Sequence, residues 1–171
     1  MPLLTEGEAI QQVIARDPLF HVEERVIRGE QLPVFINAPD SLRGLLMLSA
    51  DRYADSELML YRDERITYGA FAERVWRFAH QLEVDYQVGP GDRVAVAMPN
   101  NPEYLIAVLA IASLGAVVVY LNAWWTTPEL EYGFQDSGAQ LAIVDGERAT
   151  RIVPFRQTLA ITLIKIEALR Q

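Results

Sequence analysis

A chain of 171 residues, 51% hydrophobic and 22% charged, is long enough to bury a core and too apolar to be a disordered tail. Its net charge of -8, with Lys165 as the only lysine, argues against binding nucleic acid or anionic membranes, both of which reward clustered Lys and Arg. Cysteine is absent, so disulfides, thiolate metal sites and cysteine nucleophiles are excluded.

The first 17 residues, MPLLTEGEAIQQVIARD, lack a basic patch followed by an apolar core and do not form a secretory signal, so a cytoplasmic location is expected. Residues 1–40 read as an N-terminal arm with little structure: weak helical periodicity over Glu8–Asp17, then a strand-poor segment from Arg28 to Pro39 punctuated by Gly and Pro. His21 stands beside Glu23 and Glu24, but one histidine without a second nearby is a solvated charge cluster rather than a metal site. No metal ligand set is assigned anywhere.

Organised structure is expected from Ser41, an N-cap before Leu42, Leu45, Leu46 and Leu48, which would share a helix face as far as Tyr53. Leu58–Tyr61 and Arg65–Thr67 predict a hairpin around the turn Arg62-Asp63-Glu64. Thr67 caps a helix whose Phe71, Val75, Phe78 and Leu82 fall within about 60° of one another on a helical wheel. His80 lies about 180° from Phe71 and should be exposed. Trp76, about 140° round, is off the core face and is a candidate interface residue.

After the turn Gly89-Pro90-Gly91-Asp92 and a strand over Arg93–Met98 comes the most informative stretch. Between Glu103 and Glu129 there is no charged side chain, so the segment must be buried in protein or lipid. Tyr104–Leu121 has the length of a bilayer span, but its composition changes at Gly115 from Leu, Ile and Ala to Val117, Val118, Val119 and Tyr120. The first half favours helix and the second strand, with a glycine where helices end in a left-handed cap. Asn101-Pro102-Glu103 supplies an N-cap, a proline for the first turn and an acid for the positive helix end. A buried helix over 102–114 and a buried strand over 116–121, at the centre of a sheet, are therefore predicted.

Thr126 or Thr127 then starts a helix with Pro128, Glu129 and Glu131 in its first turns, ending at Ser137-Gly138. Leu141–Val144 is a strand, Glu147–Gln157 a helix broken near Pro154, and Leu159–Ile166 a last strand. Strands alternating with helices predict an α/β fold: βαβ crossovers and a largely parallel sheet with helices on its faces.

Catalytic signatures are missing. Gly89-Pro90-Gly91 lacks a third glycine and precedes its strand, which rules out a dinucleotide loop and with it a dehydrogenase-type domain. No GxxxxGK[ST], GxSxG, HExxH or CxxC segment occurs, and no catalytic residue is assigned. The candidate site rests on position alone: Asn122, Trp124 and Trp125 follow a predicted strand, at the carboxyl end where open α/β sheets place ligands. Their indoles could line an acyl tunnel or pack over the sheet end.

Seven segments occur together: Ile66-Thr67-Tyr68, Gly91-Asp92-Arg93-Val94-Ala95, Pro99-Asn100-Asn101-Pro102-Glu103-Tyr104, Leu114-Gly115-Ala116-Val117-Val118-Val119, Leu121-Asn122, Thr127-Pro128-Glu129-Leu130 and Asp136-Ser137-Gly138-Ala139. In this order and spacing the chain resembles, over residues 41–145, the N-terminal part of the AMP-forming adenylating enzymes: acyl-CoA synthetases, luciferases and peptide-synthetase adenylation domains. Asn122-Ala123-Trp124-Trp125 tilts the resemblance toward bacterial fatty-acyl-CoA ligases. Tyr120, where many members have proline, and Ala70-Phe71, in place of a common Glu-Leu, depart from it. The resemblance implies that residues 41–171 form an N-terminal subdomain of the family's large domain. It also implies a parent ligase using ATP, Mg and CoA to convert a carboxylate to its acyl-CoA through an acyl-adenylate. The family's phosphate loop, nucleotide motifs and catalytic lysine would lie downstream. This chain alone would then be inactive, would bind no cofactor, and would have as partners the rest of the same enzyme and further copies of itself. The alternative is a non-enzymatic α/β module that binds a protein or membrane through its apolar surface.

Overall fold

Caps decide where the helices of this chain begin, and the computed structural model, which describes residues 4–166, shows them in place. The chain divides into two units, Met1–Leu45 and Leu46–Gln171. Residues 167–171, which the sequence assigns to the α/β region, lie outside the described residues.

The first unit holds more structure than its sequence suggests. Helix α1, Glu6–Arg16, starts at Thr5, whose hydroxyl accepts from the Glu8 amide while the Glu8 carboxylate accepts from the Thr5 amide at 2.8 Å. This reciprocal box satisfies two amides that a helix start otherwise leaves open. A short 3-10 turn, Pro18–Phe20, leads to the antiparallel strands β1, Val22–Ile27, and β2, Glu30–Phe35. The expectation of a strand-poor arm is thus corrected. Arg28 and Gly29 both take positive φ, 51° and 91°, the combination that joins two strands through a two-residue turn. Pro33 is tolerated because a two-stranded ribbon leaves one side of each strand without a partner. His21 is exposed, and no cluster of metal-binding side chains occurs among the described residues.

Helix α2, Leu42–Arg52, has the predicted cap, the Gly44 amide donating to Ser41 Oγ at 3.1 Å. Its predicted apolar face is not buried as a whole. Leu46 is buried and Leu48 half-buried, but Leu42 and Leu45 are exposed.

In the second unit, strands β3, Glu57–Tyr61, and β4, Glu64–Thr67, form the expected hairpin around Arg62-Asp63. Helix α3, Tyr68–Tyr86, follows directly, capped by Thr67 Oγ1. Phe71, Val75 and Leu82 are buried on it as predicted, helped by Ala72 and Ala79, and His80 is exposed. Four parallel strands come next: β5, Arg93–Ala97, β6, Val117–Tyr120, β7, Leu141–Val144, and β8, Thr162–Lys165. They are joined by α4, Pro102–Ser113, α5, Thr127–Ser137, and α6, Gly146–Arg156. The sheet order is β6-β5-β7-β8.

Two apolar clusters cover the two faces of this sheet. Val94, Val96 and Met98 of β5 and its exit pack with α3 and α4, whereas Ala95 and Ala97 pack with α5 and α6. Helix α4 has the start and stop read from its sequence. Asn101 Oδ1 accepts from the Tyr104 amide at 2.9 Å, and Gly115 takes φ +73°.

Two expectations for the sheet are corrected. The run of valines after Gly115 forms the outer strand β6 rather than a central one, with Val117 and Tyr120 exposed; β5 and β7 are the central strands. Helix α6 runs through Pro154 instead of breaking there, because proline in a final turn removes one backbone hydrogen bond and the helix ends two residues later at Arg156. Among the described residues no helix is long and apolar enough to cross a membrane.

Helix α4 offers a direct test of this packing. Ile111 is fully buried and Leu105 on the same helix is 42% exposed. Ile111→Ala should cost about 2–5 kcal/mol in urea denaturation, and Leu105→Ala less than about 0.5 kcal/mol. Equal effects would mean that α4 faces the sheet differently.

Candidate binding cleft at the sheet end

Strands β5 and β6 stop at a cleft of about 520 Å³ above their carboxyl ends. Met98 and Leu121, which continue the two strands, are buried beneath it. Its walls carry three aromatic rings, Tyr104 from the first turn of α4, Tyr120 from the end of β6, and Trp124 from the loop that follows. Asn100 and Asn122 add two carboxamides, and no charged side chain lines it.

Each wall residue has a local cause. Tyr104 and Tyr120 pack at 6.4 Å between ring centroids and 44° between planes. Burial pushes the Tyr104 phenol above its ordinary pKa, with Tyr120 adding to the effect, so it stays neutral and able to donate or accept a hydrogen bond. Asn122 Oδ1 accepts from the Trp124 amide at 2.9 Å, and its carbonyl accepts from the Trp125 amide at 3.1 Å. These bonds fold Asn122–Trp125 into a tight turn.

The turn is held from below by α6. Arg148 is 2% exposed; its Nε donates to Ala123 O at 2.7 Å, and its Nη1 pairs with Asp145 and Glu147 at 2.9 Å each. The guanidinium lies 5.0 Å from the Trp124 ring, within cation–π range. Its Nη2 is buried without a hydrogen-bond partner. Arg151 adds a second clamp, donating to Trp125 O at 2.8 Å and pairing with Glu147.

Of the positions read from the sequence, Asn122 and Trp124 line the cleft. Trp125 turns away and packs in the cluster under α5 and α6. There its ring leaves no room for a side chain at Gly133, where a Cβ would stand 3.0 Å from Trp125 Cζ3 and 2.9 Å from Leu121 Cδ2. Trp76 does not line the cleft: it is half-buried on α3 and packs against the cluster formed with α4. Asn100 and Tyr120 were within reach of the strand-end rule that found Asn122, since each stands where a strand stops. Arg148 and Arg151 gave no such signal, because their partners are loop carbonyls more than 20 residues away, 25 for the bond from Arg148 to Ala123.

The groups implied by an adenylating reaction do not fit this cleft. A triphosphate needs cations or a row of amides, and the nearest guanidinium, Arg148, is committed to two carboxylates beneath an indole. A second concavity of about 310 Å³ lies at the opposite, amino ends of β5, β7 and β8, beside Asp92 and Arg93. No step with ATP, Mg or CoA is derived from either.

The family model described as AMP-binding enzyme matches residues 47–170. The chain belongs to this family. A long-chain-fatty-acid–CoA ligase of Salmonella typhimurium is 37% identical over 116 residues, 66% of this chain and 20% of the ligase. A feruloyl-CoA synthase of Amycolatopsis is 41% identical over 87 residues, 51% of this chain and 18% of that enzyme. The chain therefore spans about a fifth of the length of these AMP-binding relatives, 20% and 18%. Among solved structures, the N-terminal domain of FACL13 from Mycobacterium tuberculosis is 26% identical with a TM-score of 0.68, over 74% of this chain and 34% of that one. A fatty acyl CoA synthetase of the same organism is 28% identical with a TM-score of 0.66, over 75% and 27%. These agree with the α/β sheet described above and confirm the resemblance read from the seven sequence segments.

Two measurements probe the cleft. Arg148→Ala should cost about 3 kcal/mol, the low end for opening a buried ion pair, because Asp145 and Glu147 can regain water. It should also loosen Trp124, seen as lower fluorescence anisotropy. The raised pKa of Tyr104 gives a signed expectation: its contribution to stability is complete below the unfolded tyrosine pKa near 10 and is lost as pH rises through the higher folded value. Absorbance titration should show a late-ionising phenol that is lost in Tyr104→Phe.

Proposed function

We infer that this chain is the N-terminal portion of an AMP-forming acyl-CoA ligase, in which carboxylate, ATP and CoA become acyl-CoA, AMP and pyrophosphate. The observation that carries this reading is the family match over residues 47–170, joined to relatives that are CoA ligases along the same stretch. The bacterial long-chain ligases among them favour a fatty acid as the carboxylate. ATP, Mg and CoA are then reagents of the whole enzyme, and the rest of that enzyme is the partner of this segment. Within it, this chain supplies a four-stranded parallel sheet and the helices on its two faces, while the groups that handle phosphate come from elsewhere.

The reading makes two opposite demands. The 171 residues alone should show no ATP–pyrophosphate exchange with any fatty acid and no ATP binding by calorimetry; either signal at micromolar affinity would overturn it. Grafted in place of the matching segment of the Salmonella ligase, the chain should support acyl-adenylate formation. A folded but inert graft would count equally against it. The non-enzymatic alternative, a module that binds a protein partner or a membrane through its apolar surface, is favoured if the purified chain floats with liposomes.

A further inference from the structure

We propose that the cleft above β5 and β6 is a binding site for an uncharged aromatic ring carrying a hydrogen-bonding edge, such as an amide or phenol. Its chemistry points to that class from three sides. Tyr104, Tyr120 and Trp124 offer aromatic surface, and aromatic pairs gain stabilisation beyond the area they bury. Asn122 has already committed its Oδ1 to the Trp124 amide, which leaves its NH2 as a donor for a ligand carbonyl or hydroxyl. Tyr104 keeps a neutral phenol beside it.

Charge at the ligand is disfavoured in both directions. An anion entering the cleft would lose hydration and meet no cation in exchange, since the lining is uncharged and Arg148 is sealed by its own ion pairs. A cation would find only a partial aromatic cage. The guanidinium of Arg148 already stands over the Trp124 ring, 5.0 Å from its centre, so that face of the indole is taken. Preorganisation helps the neutral ring instead. Arg148 and Arg151 fix the loop carbonyls at Ala123 and Trp125, and the Arg148 guanidinium lies over the Trp124 ring, so this indole, although 72% exposed, starts from a supported position.

The site does not depend on the ligase reading, and its failure would leave that reading untouched. The test is a nuclear magnetic resonance titration of the isotope-labelled 171-residue chain with benzamide. Benzoate, phenyltrimethylammonium and cyclohexanecarboxamide serve as anionic, cationic and non-aromatic counterparts. Benzamide should shift the Trp124 indole N–H and the Asn122 side-chain NH2 in a saturable way, and all three counterparts should bind more weakly. Trp124→Ala and Tyr120→Ala remove exposed side chains and should preserve the fold, seen as unchanged amide dispersion, while each weakens benzamide roughly fivefold. Absence of saturable shifts would overturn the proposal. So would a counterpart that binds as tightly as benzamide, or binding unaltered in both variants.

Discussion

Strand β5 has to be apolar on both faces, and the larger unit is arranged around that demand. Helices α3 and α4 press on one side of it and α5 and α6 on the other, so Val94 to Met98 are all buried. A valine moved from water into such a place contributes about 1.5–3 kcal/mol, whereas one unpartnered polar group there costs about as much. The two faces differ in residue size along β5: its valines point to α3 and α4, its alanines to α5 and α6. Polar chemistry is thereby pushed to the strand ends, which is where the cleft lies.

The loop after β6 has no charge of its own and borrows its rigidity from α6. Arg148 and Arg151 reach its carbonyls and are themselves neutralised by Asp145 and Glu147. An arginine sunk to 2% exposure, paired with carboxylates that are 20% and 59% exposed, is weak evidence for net stability, because its own desolvation offsets much of the attraction. Its geometric effect is firmer. A planar fork bonded at Nε and Nη1 can sit in one orientation, and the indole above it follows.

How much of this was legible in the sequence depended on whether the deciding interaction was local. Helix α4 was read closely, because Asn101, Pro102 and Gly115 act within a turn of it. Strand β7 was read to the residue, since Leu141–Val144 is apolar and bounded by polar turns. The rank of β6 in the sheet was not legible: three valines look alike in a central and an outer strand, and sheet order follows from crossovers. Likewise Leu42 and Leu45 share a wheel face with Leu46, but periodicity does not say which residues meet a partner. In the site, the strand-end rule named Asn122 and Trp124, which line the cleft, and Trp125, which packs under α5 and α6, the second of the two roles its sequence left open.

The registers of the sheet have a consequence for the cleft. Strand β6 pairs with β5 from Arg93 to Val96, while β7 pairs with it from Val94 to Ala97, so the carboxyl edge of the sheet is a staircase with β6 one step lower. One step is about 3.3 Å, and the cleft occupies the lower tread. The valines alone do not set this step, for sliding β6 by one residue exchanges Val118 with Val119 between faces; what it would misplace is Tyr120, packed on Tyr104, and the buried Leu121. The step is also held at the far end, where the Gly91 amide bonds to Gly115 O at 3.0 Å and the Val117 amide to Asp92 O at 2.7 Å. The depth of the cleft is therefore gauged from the floor of the sheet, by a glycine that no ligand in the cleft could touch.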